Sequence, residues 1–587
     1  MNKLVIWWNI FLDGFSILND YKVGVFIFFV CIFGLGLITI KLMSNGQLNS
    51  ELNSLVGVGV GCITLSLLSY IVAMVSLLLP SLLRPLSIFI LIGTVLFLFK
   101  NLNRIREIKI NADFFALSVG FIFMLCVRLA YLTRIILPPY SDSPIHYQIV
   151  VGIIYPDTAN LVKISLNNVL NNYYHHGFHS LTAWLVLTSG LDLSTAIPLL
   201  GQLFLVIAPI SVAALVYGLT KSKSGAAFSG LLSAVGWLMP SFSVNWGKFP
   251  ALAAISTMPV IVLLLWLALR NDLKKDKFLV YVSVLVIGIT LIHTRIIICL
   301  AIAFIGFSLS RKLQLNNELS FFQTVRFSLL FVLVLWPLLQ PLARFYNSPL
   351  VWAILLIITP FAFRSHPTAS VGISLFLFGL CLVALIPNLT IGNKYALLDR
   401  QFLEMALFVP LSTMGGLGFS GLIRNLEVNR ILQQSMTIAI IGCVVFNFLL
   451  HNSIYPDVCC NYFGKKDELA FQWIRENLSN NTLFLIPTFK NNGQVYGTDA
   501  GVWLSPLLQM PTNKLSFNTN WDSIDTLNKI CATGAKEIYI YSGGKNNSFN
   551  DSRLSQTSWT SPVFRDGEVA IYKVSECTNI LNQEDLP

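Results

Sequence analysis

Charged side chains are scarce in this sequence: Asp, Glu, Lys and Arg supply 11% of its 587 residues, where a soluble globular chain carries about a quarter. An ordinary soluble enzyme is thereby excluded. Glycine (37), proline (24) and cysteine (10) are unremarkable for this length, which removes collagen-like repeats, Pro/Gly-rich disorder and a disulfide-dense secreted scaffold. No internal repeat stands out, and no glycine-rich loop ending in Lys-Ser or Lys-Thr is present to cradle a nucleotide. A basic face is missing too. The formal net charge is +11, yet Lys and Arg are scattered between apolar runs instead of lining one surface, so nucleic acid is not an expected partner. What the chain has in excess is apolar surface. Its residues are 55% hydrophobic and its mean hydropathy is +0.70, so most of it belongs in lipid.

A helix needs roughly 20 apolar residues to cross a ~30 Å hydrocarbon layer. About fourteen runs approach that length: 23–43, 55–79, 85–99, 114–137, 196–219, 226–240, 251–269, 278–294, 296–310, 327–342, 350–363, 371–387, 402–422 and 431–450. A further run, 4–18, is interrupted by Asp13 and fits a fifteenth span or an interfacial helix. It lacks a small-residue cleavage site and does not read as a cleavable signal peptide.

Cytoplasmic loops retain Lys and Arg. One set of alternate loops holds Lys100, Arg104, Arg106, Lys109, Lys221, Lys223, Arg270, Lys274, Lys275, Lys277, Arg311 and Lys312, among others, and is the cytoplasmic set. The opposite set holds only Arg84, Lys163, Lys248, Arg295, Arg344, Lys394 and Arg400. The long loop 138–192 and everything after 451 therefore face the extracytoplasmic side. The expected fold is an α-helical polytopic membrane protein of about 14 spans with a C-terminal extracytoplasmic α/β domain. Its parts are an N-terminal transmembrane extension (1–112), a transmembrane core (113–451) carrying the outer loop, and a soluble domain (452–587). In that domain, periodicity predicts helices over 467–478 and 524–535 and strands over 483–486, 537–541 and 569–574. Cys459, Cys460, Cys531 and Cys577 lie in an oxidising compartment on this topology, where one or two disulfides can form. Adjacent Cys459 and Cys460 are not expected to pair with each other.

The most informative stretch is Pro138-Pro139-Tyr140-Ser141-Asp142-Ser143-Pro144-Ile145-His146-Tyr147-Gln148. A helix beginning near Ser143, with Pro144 early in its first turn, makes Asp142 its cap and places His146 one turn along. Both then face one spot at the membrane surface. There Asp142 can take a proton from a sugar or lipid hydroxyl, while His146 orients it, shares a metal or donates to a phosphate. The plainer reading is that Asp142 only caps a helix. Tyr147 adjoins as a substrate contact. A second cluster, Tyr173-Tyr174-His175-His176-Gly177-Phe178-His179, holds three of the seven histidines. His175 and His179 are candidates for substrate contact, and Asp142, His146 and His179 for a divalent metal such as Mg or Mn. Aromatic and His residues are also common interfacial packing. Outer turns supply cations: Arg134, Lys248, Arg295 and Arg400 can meet a phosphate through charge-assisted bonds, or serve only as snorkelling and topology residues.

With these residues in place the chain resembles the GT-C superfamily, multi-spanning glycosyltransferases that take a sugar from a polyprenyl-phosphate carrier on the outer side of the membrane. Asp142 matches the family's acidic residue in a long outer loop. Asp399-Arg400-Gln401-Phe402, leading into a late span with Pro410 inside it, looks like the family's arginine-phenylalanine start of a late helix. The stretch Glu468-Leu469-Ala470-Phe471-Gln472-Trp473-Ile474-Arg475-Glu476-Asn477 is similar to the opening of the soluble domain in many such enzymes. Two features depart from the pattern: about four spans precede the acidic loop, where the family commonly has one, and Asp142 has serines for neighbours with Asp157 distant, where two acidic residues are common. A Trp-Trp-Asp-Tyr-Gly motif is also missing, which disfavours oligosaccharide transfer to protein.

The resemblance implies inverting displacement at the anomeric carbon of a polyprenyl-phosphate sugar. Asp142 would act as general base, and Arg400, Arg295, Lys248 or Arg134 would balance the leaving phosphate. The acceptor is a glycan, a lipid or a protein, and membrane lipids surround the reaction. Alternatives are a lipid or polysaccharide transporter or flippase, and a lipid-linked polysaccharide ligase or polymerase. A transporter places its ionisable residues near mid-membrane, whereas these collect at one surface.

Overall fold

In lipid every backbone polar group must be satisfied within the segment, so long apolar runs can only be helices. A computed structural model describes residues 3–44, 50–101, 112–155, 174–270, 275–316, 318–385, 390–391, 395–396, 398–426, 430–451, 454–491, 494–545, 547–575 and 577. Arg104, Arg106, Lys109, Asp157, Lys163, Lys274 and Lys394 lie outside the described residues. The chain divides into two compact units: one takes in Met1–Thr133, Ser165–Val244 and Phe249–Ile454, the other Arg134–Ile164, Asn245–Lys248 and Tyr455–Pro587.

The first unit is helical. Among the described residues, seven helices are long and apolar enough to cross a membrane: Lys22–Ser44, Glu51–Leu78, Pro80–Lys100, Leu193–Thr220, Phe249–Arg270, Arg400–Asn425 and Arg430–Leu450. The other apolar runs also form helices, among them Ala112–Leu129, Lys275–Ile292, Ile296–Lys312, Phe321–Leu339, Pro349–Ser365 and Pro367–Leu385. Leu193–Thr220, Phe249–Arg270 and Arg400–Asn425 are enclosed by neighbours, while Pro80–Lys100 and Arg430–Leu450 are mostly uncovered. The uncovered side chains are large and apolar, such as Phe89, Leu96, Phe99, Ile431, Ile438 and Phe446. A face of that composition belongs against lipid. Helix Lys223–Leu231 runs into a π-helical turn, Leu232–Gly236. The Ala234 carbonyl in that turn accepts from Arg128 Nη2 at 2.6 Å, and Arg128 is itself almost wholly buried.

The second unit is built on a mixed sheet of strands β1 (Leu483–Asn491), β2 (Gln494–Gly497), β3 (Thr512–Ser516), β4 (Ile538–Ser542), β5 (Thr560–Asp566) and β6 (Val569–Val574). The order is β2-β1-β4-β6-β5, with β3 also on β1. β1 runs parallel to β3 and β4; the β1–β2, β4–β6 and β5–β6 pairs are antiparallel. Successive side chains of a strand point to opposite faces, and here both faces are covered. Phe484, Ile486, Tyr539, Tyr541, Val569 and Ile571 pack on one side with Ala470, Phe471 and Ile474 of helix Lys465–Asn477. On the other, Leu485, Ile538, Ile540, Ala570 and Tyr572 meet Trp521, Leu527 and Ile530. Leu137 and Tyr147 join the first of these cores, which ties residues 134–155 into this unit.

The predicted strands are present, and β2, β3 and β5 are additional. Being polar or exposed in part, as in the Thr-Asn-Lys-Leu-Ser sequence of β3, these carry no apolar run to read, and β5 has Pro562 at a register shift. A disulfide joins Cys531 to Cys577. Cys459 and Cys460 also bond to each other, contrary to expectation, with Cα atoms 3.8 Å apart. Disulfides usually span Cα separations of about 4.4–6.8 Å. The pair lies in a turn in which the Asp457 carbonyl accepts the Cys460 N–H at 3.2 Å and the Asp457 side chain the Cys459 N–H at 2.9 Å.

Asp499 is fully buried between the β2 end and the Gly543-Gly544 loop, accepting from Gly501 N (2.9 Å), Gly543 N (2.8 Å) and Ser548 Oγ (3.0 Å). Burial outweighs these donors and pushes its carboxyl up to about 7. A raised folded-state pKa means that the folded state holds a proton the unfolded chain has released, so stability from this group is full below about pH 4. It is lost as pH rises towards 7. Asp499→Asn removes that dependence. The stability difference between wild type and variant, read by hydrogen exchange of the 494–548 peptides, changes by up to about 1.4 kcal/mol per pH unit across this window and is flat above it.

Candidate functional site

Asp142 occupies the N-cap position of helix Ser143–Ile154, with Pro144 in its first turn, yet its side chain makes no capping bond. Its Oδ2 instead meets Lys248 Nζ at 2.6 Å, and the two side chains are 22% and 24% exposed. The plainer reading of Asp142 as a helix cap is therefore set aside. His146, one turn along and buried, places Nε2 at 3.1 Å from the Gly247 carbonyl. A carbonyl only accepts, so Nε2 carries the proton and Nδ1 is the ring's acceptor. Burial pushes the imidazole down to about 4, opposed by Asp142 and assisted by Lys248. A neutral His146 thus pins Gly247 and, through it, the adjoining Lys248.

Gly247 has φ +62°, and a Cβ there would lie 2.6 Å from Ser143 Oγ and 2.9 Å from the Pro139 carbonyl. Ser143 Oγ in turn donates to Pro139 O. Further bonds knit in the tail: Tyr140 N–H to Cys460 O at 2.9 Å, Asp457 N–H to Asn245 Oδ1 at 3.1 Å and Asn461 Nδ2 to Arg134 O at 3.1 Å. Arg134 is exposed with its guanidinium 5.1 Å from the centre of the Tyr455 ring. Tyr147 stands edge-on to Trp503, 5.7 Å between ring centres, and packs on the sheet's first core. In this unit the structure brings Asp142, His146 and Lys248 together.

The remaining sequence candidates belong to the helical unit. His175 lies between Tyr174 (4.1 Å, stacked) and His293 (4.2 Å), and His293 stacks on Phe402 at 4.9 Å. Gly177 permits this, because a Cβ on it would come within 2.8 Å of the Leu291 carbonyl group. His179 is fully buried in helix Gly177–Ser189. Arg295 pairs with Asp399, which also caps helix Arg400–Ala406 by accepting the Phe402 N–H at 2.6 Å. Arg400 Nε meets Glu404 Oε1 at 2.8 Å. Each of these cations therefore already faces a carboxylate.

Among the described residues no three His, Cys, Asp or Glu side chains gather as a metal site. Lys248 occupies one oxygen of Asp142, and the Nε2 of His146 is committed to a carbonyl. Sequence reasoning missed Arg128, Phe402 as a stacking partner, and Glu404. A lone Arg inside an apolar run was a usable signal for the first; the others depend on pairing across helices. Replacing Gly247 by Ala is expected to raise hydrogen-exchange rates of residues 140–148 by roughly tenfold, since a left-handed conformation costs a non-glycine residue about 1–2 kcal/mol before the contact with Ser143 is counted.

No curated protein matches the chain. A solved structure of the mycobacterial arabinofuranosyltransferase AftD is similar at 13% identity and a TM-score of 0.34, over 70% of this chain and 36% of that one. The chain thus spans about a third of the length of that enzyme. The family model DUF6541, described as a family of unknown function, matches residues 46–342. That match takes in just over half of the sequence, and the chain belongs to this family.

Proposed function

We propose that the protein is a membrane glycosyltransferase of the GT-C type, moving a sugar from a polyprenyl-phosphate donor to an acceptor hydroxyl on the extracytoplasmic face. One observation carries the reading: the Asp142 carboxylate, placed to cap a helix, is withheld from that role and held against Lys248 at 2.6 Å. A partly exposed carboxylate can be reached by an acceptor hydroxyl, and the ammonium beside it supplies a positive charge for an anionic substrate. The Cys531–Cys577 disulfide suits an oxidising exterior for the tail. The apolar helices suit a bundle of about fourteen spans, the shorter ones included.

In the proposed reaction the acceptor oxygen attacks the anomeric carbon as the bond to the phosphate oxygen breaks. The phosphate leaves with the electron pair, and Asp142 takes the acceptor's proton. The transition state has oxocarbenium character. Lys248 and Arg134 lie in the same unit as Asp142 and would balance the phosphate. His146 acts as a positioning residue through Gly247, and Tyr147, in the same unit, is proposed as a substrate contact. No step passes through a metal.

Purified protein supplied with a panel of polyprenyl-phosphate sugars is expected to transfer or hydrolyse one donor. Asp142→Asn keeps the side chain's shape and is expected to lower kcat by about 10²–10⁴-fold with donor KM little changed. A variant as active as wild type would remove Asp142 as base; movement of intact lipid-linked sugar across vesicles without cleavage would favour a transporter.

A further inference from the structure

We propose that the helical unit holds an anionic glycerophospholipid in a cavity at the ends of three of its helices, on the side that the charge asymmetry reads as cytoplasmic. All of the residues concerned belong to the first unit, and none of them is assigned a part in glycosyl transfer.

The cavity encloses about 700 Å³, within the ~300–1,000 Å³ usual for small-molecule sites. Its wall is apolar. Ile38 and Leu42 come from the end of helix Lys22–Ser44, Phe97 from the end of helix Pro80–Lys100, and Val280 from the start of helix Lys275–Ile292. Leu42 and Val280 are 51% and 62% exposed, a composition that belongs against lipid. Three exposed charged side chains line the same cavity: Lys41, Asp276 and Lys277.

Lys41 closes the last turn of its helix, where the macrodipole favours a cation. Lys277 stands in the first turn of its own, where the same effect disfavours one. Asp276 is adjacent, but side chains one residue apart on a helix do not face each other. Elsewhere in this unit Lys223, Arg295, Arg400 and Arg424 each meet a carboxylate. Among the described residues no ion pair takes Lys41 or Lys277. Two lysines against one aspartate leave the cavity net positive, so the counter-charge comes from outside the chain.

The wall and the charges together select the occupant. Free phosphate would match the two ammoniums and leave the apolar wall bare, and an uncharged acyl chain would do the reverse. A glycerophospholipid with a net negative headgroup meets both, its acyl chain along Ile38, Leu42, Phe97 and Val280 and its phosphate at Lys41 and Lys277. A zwitterionic headgroup would bring a further cation to a positive site. The cytoplasmic leaflet is also where anionic lipids meet basic pockets between helices.

The experiment titrates full-length protein in detergent micelles with dioleoylphosphatidylglycerol and dioleoylphosphatidylcholine and counts bound lipid by native mass spectrometry. The phosphatidylglycerol is expected to bind roughly tenfold more tightly, and Lys41→Gln and Lys277→Gln should each weaken it about fivefold, the scale of one cation near an anionic headgroup. Short-chain dihexanoylphosphatidylglycerol should bind far more weakly, and millimolar inorganic phosphate should not displace the long-chain lipid. The paired change Arg311→Gln and Lys312→Gln removes two exposed cations from the end of helix Ile296–Lys312 and should leave binding unaltered. Equal binding of the two long-chain lipids, unchanged binding in both lysine variants, an equal loss in the Arg311 and Lys312 variant, or displacement by inorganic phosphate overturns the assignment.

Discussion

The Asp142–Lys248 ion pair ties together stretches of chain that are distant in sequence, and the geometry of the second unit is arranged around keeping it. Lys248 arrives on a four-residue excursion, Asn245–Lys248, out of an otherwise helical region. That excursion is held at both ends by neutral hydrogen bonds, Asn245 to the Asp457 amide and Gly247 to His146. A charged pair left partly exposed gains little by itself. Its position is maintained by the surrounding contacts.

The helical unit treats its charges differently. Arg295 and Arg400 face Asp399 and Glu404, and the one carboxylate of Asp399 both caps a helix and takes a guanidinium. Arg128 has a backbone carbonyl of a π-helical turn as its partner. Such turns free a carbonyl from the regular helix ladder and often accompany functional sites. Phe402, one turn into the same capped helix, is where the histidine stack ends. A short polar sequence thus sets helix start, charge balance and ring packing at once.

Much of the site was readable in advance. Pro144 after a Ser-Asp-Ser string marked the helix start, and the helix begins at Ser143. The stretch Asp399-Arg400-Gln401-Phe402 reads as the entry to a late span, and helix Arg400–Asn425 follows, with Asp399 as its cap. Lys248 was visible as a cation in an outer turn, but its choice of Asp142 was not, because ion pairs between distant segments leave no local trace. The polar strands β2, β3 and β5 escaped notice for the same reason: pairing to a neighbour, rather than their own pattern, makes them strands. The Cys459–Cys460 bond lies in a turn closed by Asp457, which the spacing of the cysteines does not show.

The sequence by itself determined the apolar solvent and the helices, since apolar runs and caps act over a few residues and need no partner to be effective. Tertiary structure alone decided that Leu137 and Tyr147 pack on the tail's sheet. It also decided which carboxylate each cation meets, and that no three ligands gather for a metal among the described residues. Those outcomes depend on distances between residues far apart in the chain, and local chemistry places no constraint on such distances until the cores have closed.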